Sequence, residues 1–126
     1  MILDTNAVSS LLAGGHEPLN ALLKSSPRQH LPLIVIAEYQ FGLLALQRPR
    51  RLQSLLRRFE AESIILYPDR ATADYYAAIR HGLKLLGKPI PENNMWIAAL
   101  ARQHSLEIVS RDPHFDHVEG VRRVRW

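Results

Sequence analysis

At 126 residues the chain is long enough to bury a core of its own without staples, and one domain covering residues 1–126 is expected. With 47% hydrophobic and 22% charged residues it has the composition of an ordinary soluble globular protein, and the absence of cysteine excludes disulfides and thiolate metal sites. The net charge of +4 favours an anionic partner, nucleic acid first; no apolar run reaches the roughly 18 residues that span a bilayer, and without a basic leader the expected location is cytoplasmic.

Met1-Ile2-Leu3 reads as a short buried strand, ended by Asp4, and Ala7–Leu12 follows as a helix broken at Gly14-Gly15. A second helix runs from about Pro18, suited to a first turn, to Lys24, and Ser25-Ser26-Pro27 is a loop. His30-Leu31 is a very short strand. Pro32 opens an apolar helix to about Leu46, closed before Pro49, and its composition predicts that it is largely buried. Arg51–Ala61 is amphipathic, with Leu52, Leu55, Leu56 and Phe59 on one face. Ser63–Leu66 is a strand. Asp69–Leu86 is a helix with Asp69 as N-cap, Gly87 just past its end, and a core stripe of Tyr75 or Tyr76, Ile79, Leu83 and Leu86. Lys88–Pro91 is a rigid loop before a helix over Glu92–His104. Leu106–Ser110 is a strand, Arg111–Asp116 a polar turn, and Val121–Trp126 a last strand. Strands separated by helices predict an α/β fold: a central, mostly parallel sheet of four or five short strands with helices on both faces.

Four features stand out along this frame. Asp4 and Asp112 both follow an apolar strand, at the edge where open α/β sheets collect ligands. Asp4 also suits the cap of the next helix, and Asp112 before Pro113 suits a turn. Glu38 is the only charged residue between Leu31 and Leu46, so it needs either an arginine partner or a cation. Gly42, one turn later, allows close approach to that helix. Asn93 and Asn94 stand at a helix start, where amides are most often caps.

Together these residues resemble the PIN-domain ribonucleases. Leu3-Asp4-Thr5-Asn6 is similar to the opening motif of that family. Ala37-Glu38-Tyr39-Gln40-Phe41-Gly42 resembles its helix with an acidic residue and a glycine. Pro91–Ala99 resembles the third motif, and Ser110–Asp116 the fourth. The match runs the whole chain in order, and its details resemble the VapC-type toxins of toxin–antitoxin pairs.

The resemblance implies a PIN-like fold and an acidic cluster of Asp4, Glu38 and Asp112, with Asn94 as a further catalytic position. Asn6, Ser110 and Asp116 would be polar supports, Asp116 as an outer ligand. It further implies Mg²⁺ or Mn²⁺, which take hard oxygen ligands, hydrolysis of RNA to a 3′-hydroxyl and a 5′-phosphate, a homodimer, and a cognate antitoxin with a basic side chain for the cluster. Position 94 departs from the pattern: the family has Asp there, and an amide brings neither charge nor a general base. Weaker metal binding and turnover are expected.

Arg48, Arg50, Arg51, Arg57 and Arg58 are candidates for gripping RNA backbone, against the commoner role of a solvated helix face. The six histidines show no zinc spacing and carry no assigned role. Two further readings compete. One is a PIN-fold module that binds RNA or antitoxin and cuts poorly. The other is a phosphotransferase with Asp4 as nucleophile, disfavoured because position 6 is Asn.

Overall fold

A computed structural model describes all of residues 1–126. Five short strands form one sheet: β1 (Ile2–Leu3), β2 (His30–Pro32), β3 (Ile64–Leu66), β4 (Ile108–Val109) and β5 (Arg123–Val124). Their order is β3-β2-β1-β4-β5, and every neighbouring pair is parallel. Six helices connect them: α1 (Thr5–Leu12), α2 (Glu17–Lys24), α3 (Leu33–Ala45), α4 (Arg50–Glu62), α5 (Arg70–Leu85) and α6 (Glu92–His104). No helix is long and apolar enough to cross a membrane.

The chain winds outward from β1 to β2 and β3, then crosses back through α5 and α6 to place β4 on the other side of β1. The β1/β4 boundary is therefore the topological switch point, whose carboxyl edge is where open α/β sheets collect ligands. Strands this short survive because both faces are covered. Ile2, Leu3, Ile108 and Val109 are fully buried in one continuous core with Val35, Leu56, Ile97, Leu100 and Phe115.

Most elements lie where the sequence places them, with shifted ends. The last strand covers only Arg123–Val124, and Pro113–His117 forms a 3₁₀ turn around the buried Phe115. At α5 the expected cap is present as a capping box. Asp69 accepts from the Thr72 amide at 3.1 Å, and the Asp69 amide donates to Thr72 Oγ1 at 2.9 Å. Gln103 on α6 joins this cap by accepting from Thr72 Oγ1 at 2.6 Å and donating to Asp69 at 2.9 Å, which ties α5 to α6.

Two expectations fail. Helix α3 is not largely buried: Val35, Ile36, Tyr39 and Leu43 face the core, while Leu33, Ala37, Phe41 and Leu44 form an exposed apolar face. Leu86 lies just past the end of α5 and is exposed, so the stripe is buried only at Ile79 and Leu83, with Tyr75 and Tyr76 partly covered. Hydrophobic content all round a helix does not say that every side finds cover within one chain.

Candidate active site

Strands β1 and β4 run in register, Ile2 opposite Ile108 and Leu3 opposite Val109. The next step along both strands brings Asp4 and Ser110 together at the carboxyl edge. Ser110 Oγ donates to Asp4 Oδ2 at 2.6 Å, and Asn6 Nδ2 donates to the same oxygen at 2.9 Å and reaches Ser110 Oγ at 3.1 Å. Asp4 Oδ1 accepts the Thr5 amide at 2.7 Å, as the N-cap of α1. The capping role and the site role coincide in one residue. Asn6 and Ser110, the two residues expected beside Asp4, both bond its carboxylate.

Asp112 is clamped from two sides. Its Oδ1 accepts the His114 amide at 3.0 Å and lies 2.7 Å from His114 Nδ1, and its Oδ2 accepts Asn94 Nδ2 at 2.8 Å. Its own amide donates to Ser110 Oγ at 2.9 Å, which links it to Asp4. Asn94 is not a cap: the N-cap of α6 is Pro91, and Asn94 sits buried in the first turn. Histidine 114, without a role in the sequence reading, holds the carboxylate of Asp112.

Glu38 has no arginine. It forms no salt bridge, and its Oε1 is buried without a hydrogen-bond partner, as is the hydroxyl of Thr5. Thr5 was hidden inside the first motif, where nothing in its spacing separates a ligand-facing hydroxyl from a helix-start residue. Glu38, Thr5, Gly42 and Arg48 line one groove of about 270 Å³ with Tyr39, Leu43 and Leu46. A Cβ at Gly42 would meet open space, so this glycine leaves room in the groove and is not required by packing.

The electrostatics divide the carboxylates. Burial, with a smaller push from the charge of Asp112, raises Asp4 above the usual carboxylate range despite its bonds to Ser110 and Thr5. Burial and the charge of Asp4 likewise raise Glu38, offset in part by the nearby Thr5 and Asn93 side chains. Burial also pushes Asp112 upward, but its bonds from the His114 amide, Asn94 and the His114 ring outweigh this and hold it low.

These residues fit a hard divalent cation. The available donors are oxygens, Thr5 Oγ1 and Glu38 Oε1 are buried near each other without a close hydrogen bond, and two acids are held in a state that a nearby cation would relieve. No three acidic or histidine side chains close on one point as a protein cage. The fit is therefore to an ion that keeps much of its water and takes one or two carboxylates.

The remaining candidates separate. Asp116 faces Arg123, accepting two bonds at 2.8 and 2.5 Å, so it is occupied in an ion pair and not offered to the cluster. Arg123 Nη1 in turn donates to the Ser110 carbonyl at 3.3 Å, so this pair braces the strand end from behind. Of the five arginines in the basic stretch, Arg48 lines the groove of Glu38. Arg57 lines a different cleft, and Arg58 pairs with Glu62 on an exposed helix face.

The chain matches the PIN domain family over residues 1–121. It is 33% identical over 121 residues to toxin FitB of Neisseria gonorrhoeae, covering 89% of this chain and 87% of that protein. It is 31% identical over 123 residues to the VapC ribonuclease Y4jK of Sinorhizobium fredii, covering 89% and 86%. Its fold superposes with a TM-score of 0.90 on a chain of VapBC2 from Rickettsia felis bound to a DNA fragment from their promoter, at 22% identity and with 99% and 97% of the chains covered. With the family's motifs in order and its fold reproduced over nearly the whole length, the chain belongs to the PIN-domain family.

Proposed function

We propose that this chain is a divalent-cation-dependent endoribonuclease, the cytoplasmic toxin half of a toxin–antitoxin pair. The observation that carries the reading is Asp4 at the carboxyl edge of β1, close enough to feel the charge of Asp112 and to impose its own on Glu38, with Glu38 Oε1 buried and unpaired. The relatives named as a toxin and as a VapC ribonuclease support it.

Asp4, Glu38 and Asp112 would hold Mg²⁺ or Mn²⁺, with Asn94 adding at most an uncharged oxygen. When bound, such an ion lowers the pKa of water and stabilises charge on a phosphate. The chain's own groups do the rest. Ser110, Asn6 and the Thr5 amide aim the Asp4 carboxylate, and His114 aims that of Asp112. Glu38 Oε1, buried without a close partner at the groove wall, is placed to bond and orient the attacking water. The groove from Thr5 to Leu46 suits an apolar antitoxin segment that delivers a cation to Glu38. The exposed face of α3, with Phe41 at 72% and Leu44 at 69%, suits the homodimer contact.

A second reading rests on Asn94. Its amide already donates to the Asp112 oxygen that a cation would use, so the chain could dock RNA and antitoxin and cut poorly. Cleavage of RNA with Mg²⁺ or Mn²⁺, and with EDTA, by this chain, Asn94→Asp and Asp4→Ala decides between them. The nuclease reading expects slow, EDTA-sensitive cutting by the chain, roughly 10- to 100-fold more by Asn94→Asp, and none by Asp4→Ala. No cutting by either Asp4-containing form, with RNA still bound, would establish the second reading. Equal cutting by Asp4→Ala would remove the site assignment altogether.

A further inference from the structure

A site that gathers carboxylates repels the polyanion it is meant to receive, so some cation must meet the substrate beside it. The arginine that braces the carboxyl edge is already committed: Arg123 is bound to Asp116 through a short ion pair. Arg111 is not. It is exposed and forms no salt bridge, although it stands between Ser110 and Asp112.

Its placement is built from both ends. The Arg111 amide donates to Asn6 Oδ1 at 3.2 Å, which fixes the residue to the same asparagine that supports Asp4. The register of β4 and β5 sets Ile108 opposite Arg123 and Val109 opposite Val124, and the Ser110 amide donates to the Val124 carbonyl at 3.1 Å. Continuing that register brings Arg111 level with Trp126 beyond the carboxyl edge. There the guanidinium lies over the indole, 4.5 Å from the ring centroid. Trp126 is itself packed against the core, so it is a firm platform. A cation stacked on an aromatic face keeps its in-plane N–H donors free at its rim.

We propose that Arg111, held over Trp126, is the phosphate-binding residue that seats single-stranded RNA against the acidic cluster. This rests on the ribonuclease reading and adds a residue to it. Arginine suits the task because its planar fork can bond a phosphate in two places while its face stays on the ring. The Arg111 backbone is fixed between Ser110 and Asp112 by its bond to Asn6, so a strand held at the guanidinium runs past the end of β4 that carries Asp112.

The test is binding of a labelled single-stranded RNA of mixed sequence in EDTA, read as affinity against salt, for the chain, Arg111→Ala and Arg111→Lys. Thermal melts of all three proteins are taken alongside. The expected result is several-fold weaker binding by Arg111→Ala, with the slope of log affinity against log salt flatter by about 0.7, the share of one phosphate on a single strand. Arg111→Lys should restore the slope and only part of the affinity, and the melts should coincide. An Arg111→Ala protein that binds with the affinity and slope of the unaltered chain overturns the proposal and leaves the ribonuclease reading standing. If the unaltered chain binds no RNA in EDTA, the proposal falls, and cleavage with Mg²⁺ or Mn²⁺ still decides the ribonuclease reading.

Discussion

The chemistry of the cluster turns on Asn94. As it stands, its amide gives Asp112 Oδ2 a donor at 2.8 Å, so the metal-free site is partly satisfied from within. Aspartate there would replace that donor by a second carboxylate in contact with the first, an unpaired like-charge pair. Asn94→Asp should therefore melt lower than the unaltered chain in EDTA and gain more from added Mg²⁺. Melting curves with and without the ion check this; equal curves would mean that position 94 does not face Asp112. Glu38 gives the complementary case. Its pKa is raised from 4.5, so ionising it opposes folding, and the unfavourable contribution grows as pH rises through 4.5 to its folded value. Glu38→Gln should be the more stable protein at neutral pH in EDTA, with the difference vanishing as pH falls below 4.5. Stability measured across that range would contradict the account if Glu38→Gln were the weaker at neutral pH. The acids themselves were legible from strand-end position and from one lone charge in an apolar helix. His114, Thr5 and Asn94's true partner were not, because donor pairing is set by register and by the 3₁₀ turn, which residue spacing does not fix.

At the scale of elements, the clearest reading was of helix starts. Asp69 was expected to cap α5, and its carboxyl is held low, first by Gln103 and then by the Thr72 amide. A depressed carboxyl contributes stability that is complete above its unfolded value of 3.8 and is lost as pH falls through the folded one. Asp69→Ala should lower the melting temperature at neutral pH, and the difference should shrink as pH falls below 3.8. A pH-independent difference would assign the loss to packing instead of the cap. The role of Gln103 was not readable, since α5 and α6 meet only in the fold. Nor was the exposed face of α3: Leu33, Ala37, Phe41 and Leu44 carry the same apolar signal as the buried Val35, Ile36, Tyr39 and Leu43. Composition says what a helix could bury, and only the neighbours decide what it does bury.

For the whole molecule, alternation of strands and helices predicted a parallel sheet, and the strand order β3-β2-β1-β4-β5 was the part left open. That order is what matters for function, because it sets β1 against β4 and so brings together two carboxylates 108 positions apart in sequence, Asp4 and Asp112. Two acids raised by burial and without a cationic partner, Asp4 and Glu38, beside an Asp112 held by His114 and Asn94, describe a surface shaped for an ion the chain does not itself provide. Calorimetric titration of Mn²⁺ into the intact chain tests this most directly, with Asp4→Asn as the comparison. The account predicts saturable binding that is weakened or lost in Asp4→Asn, with proton release that increases as pH falls toward the raised values of Asp4 and Glu38. Saturable binding of equal strength in Asp4→Asn, or none in either protein, would contradict it.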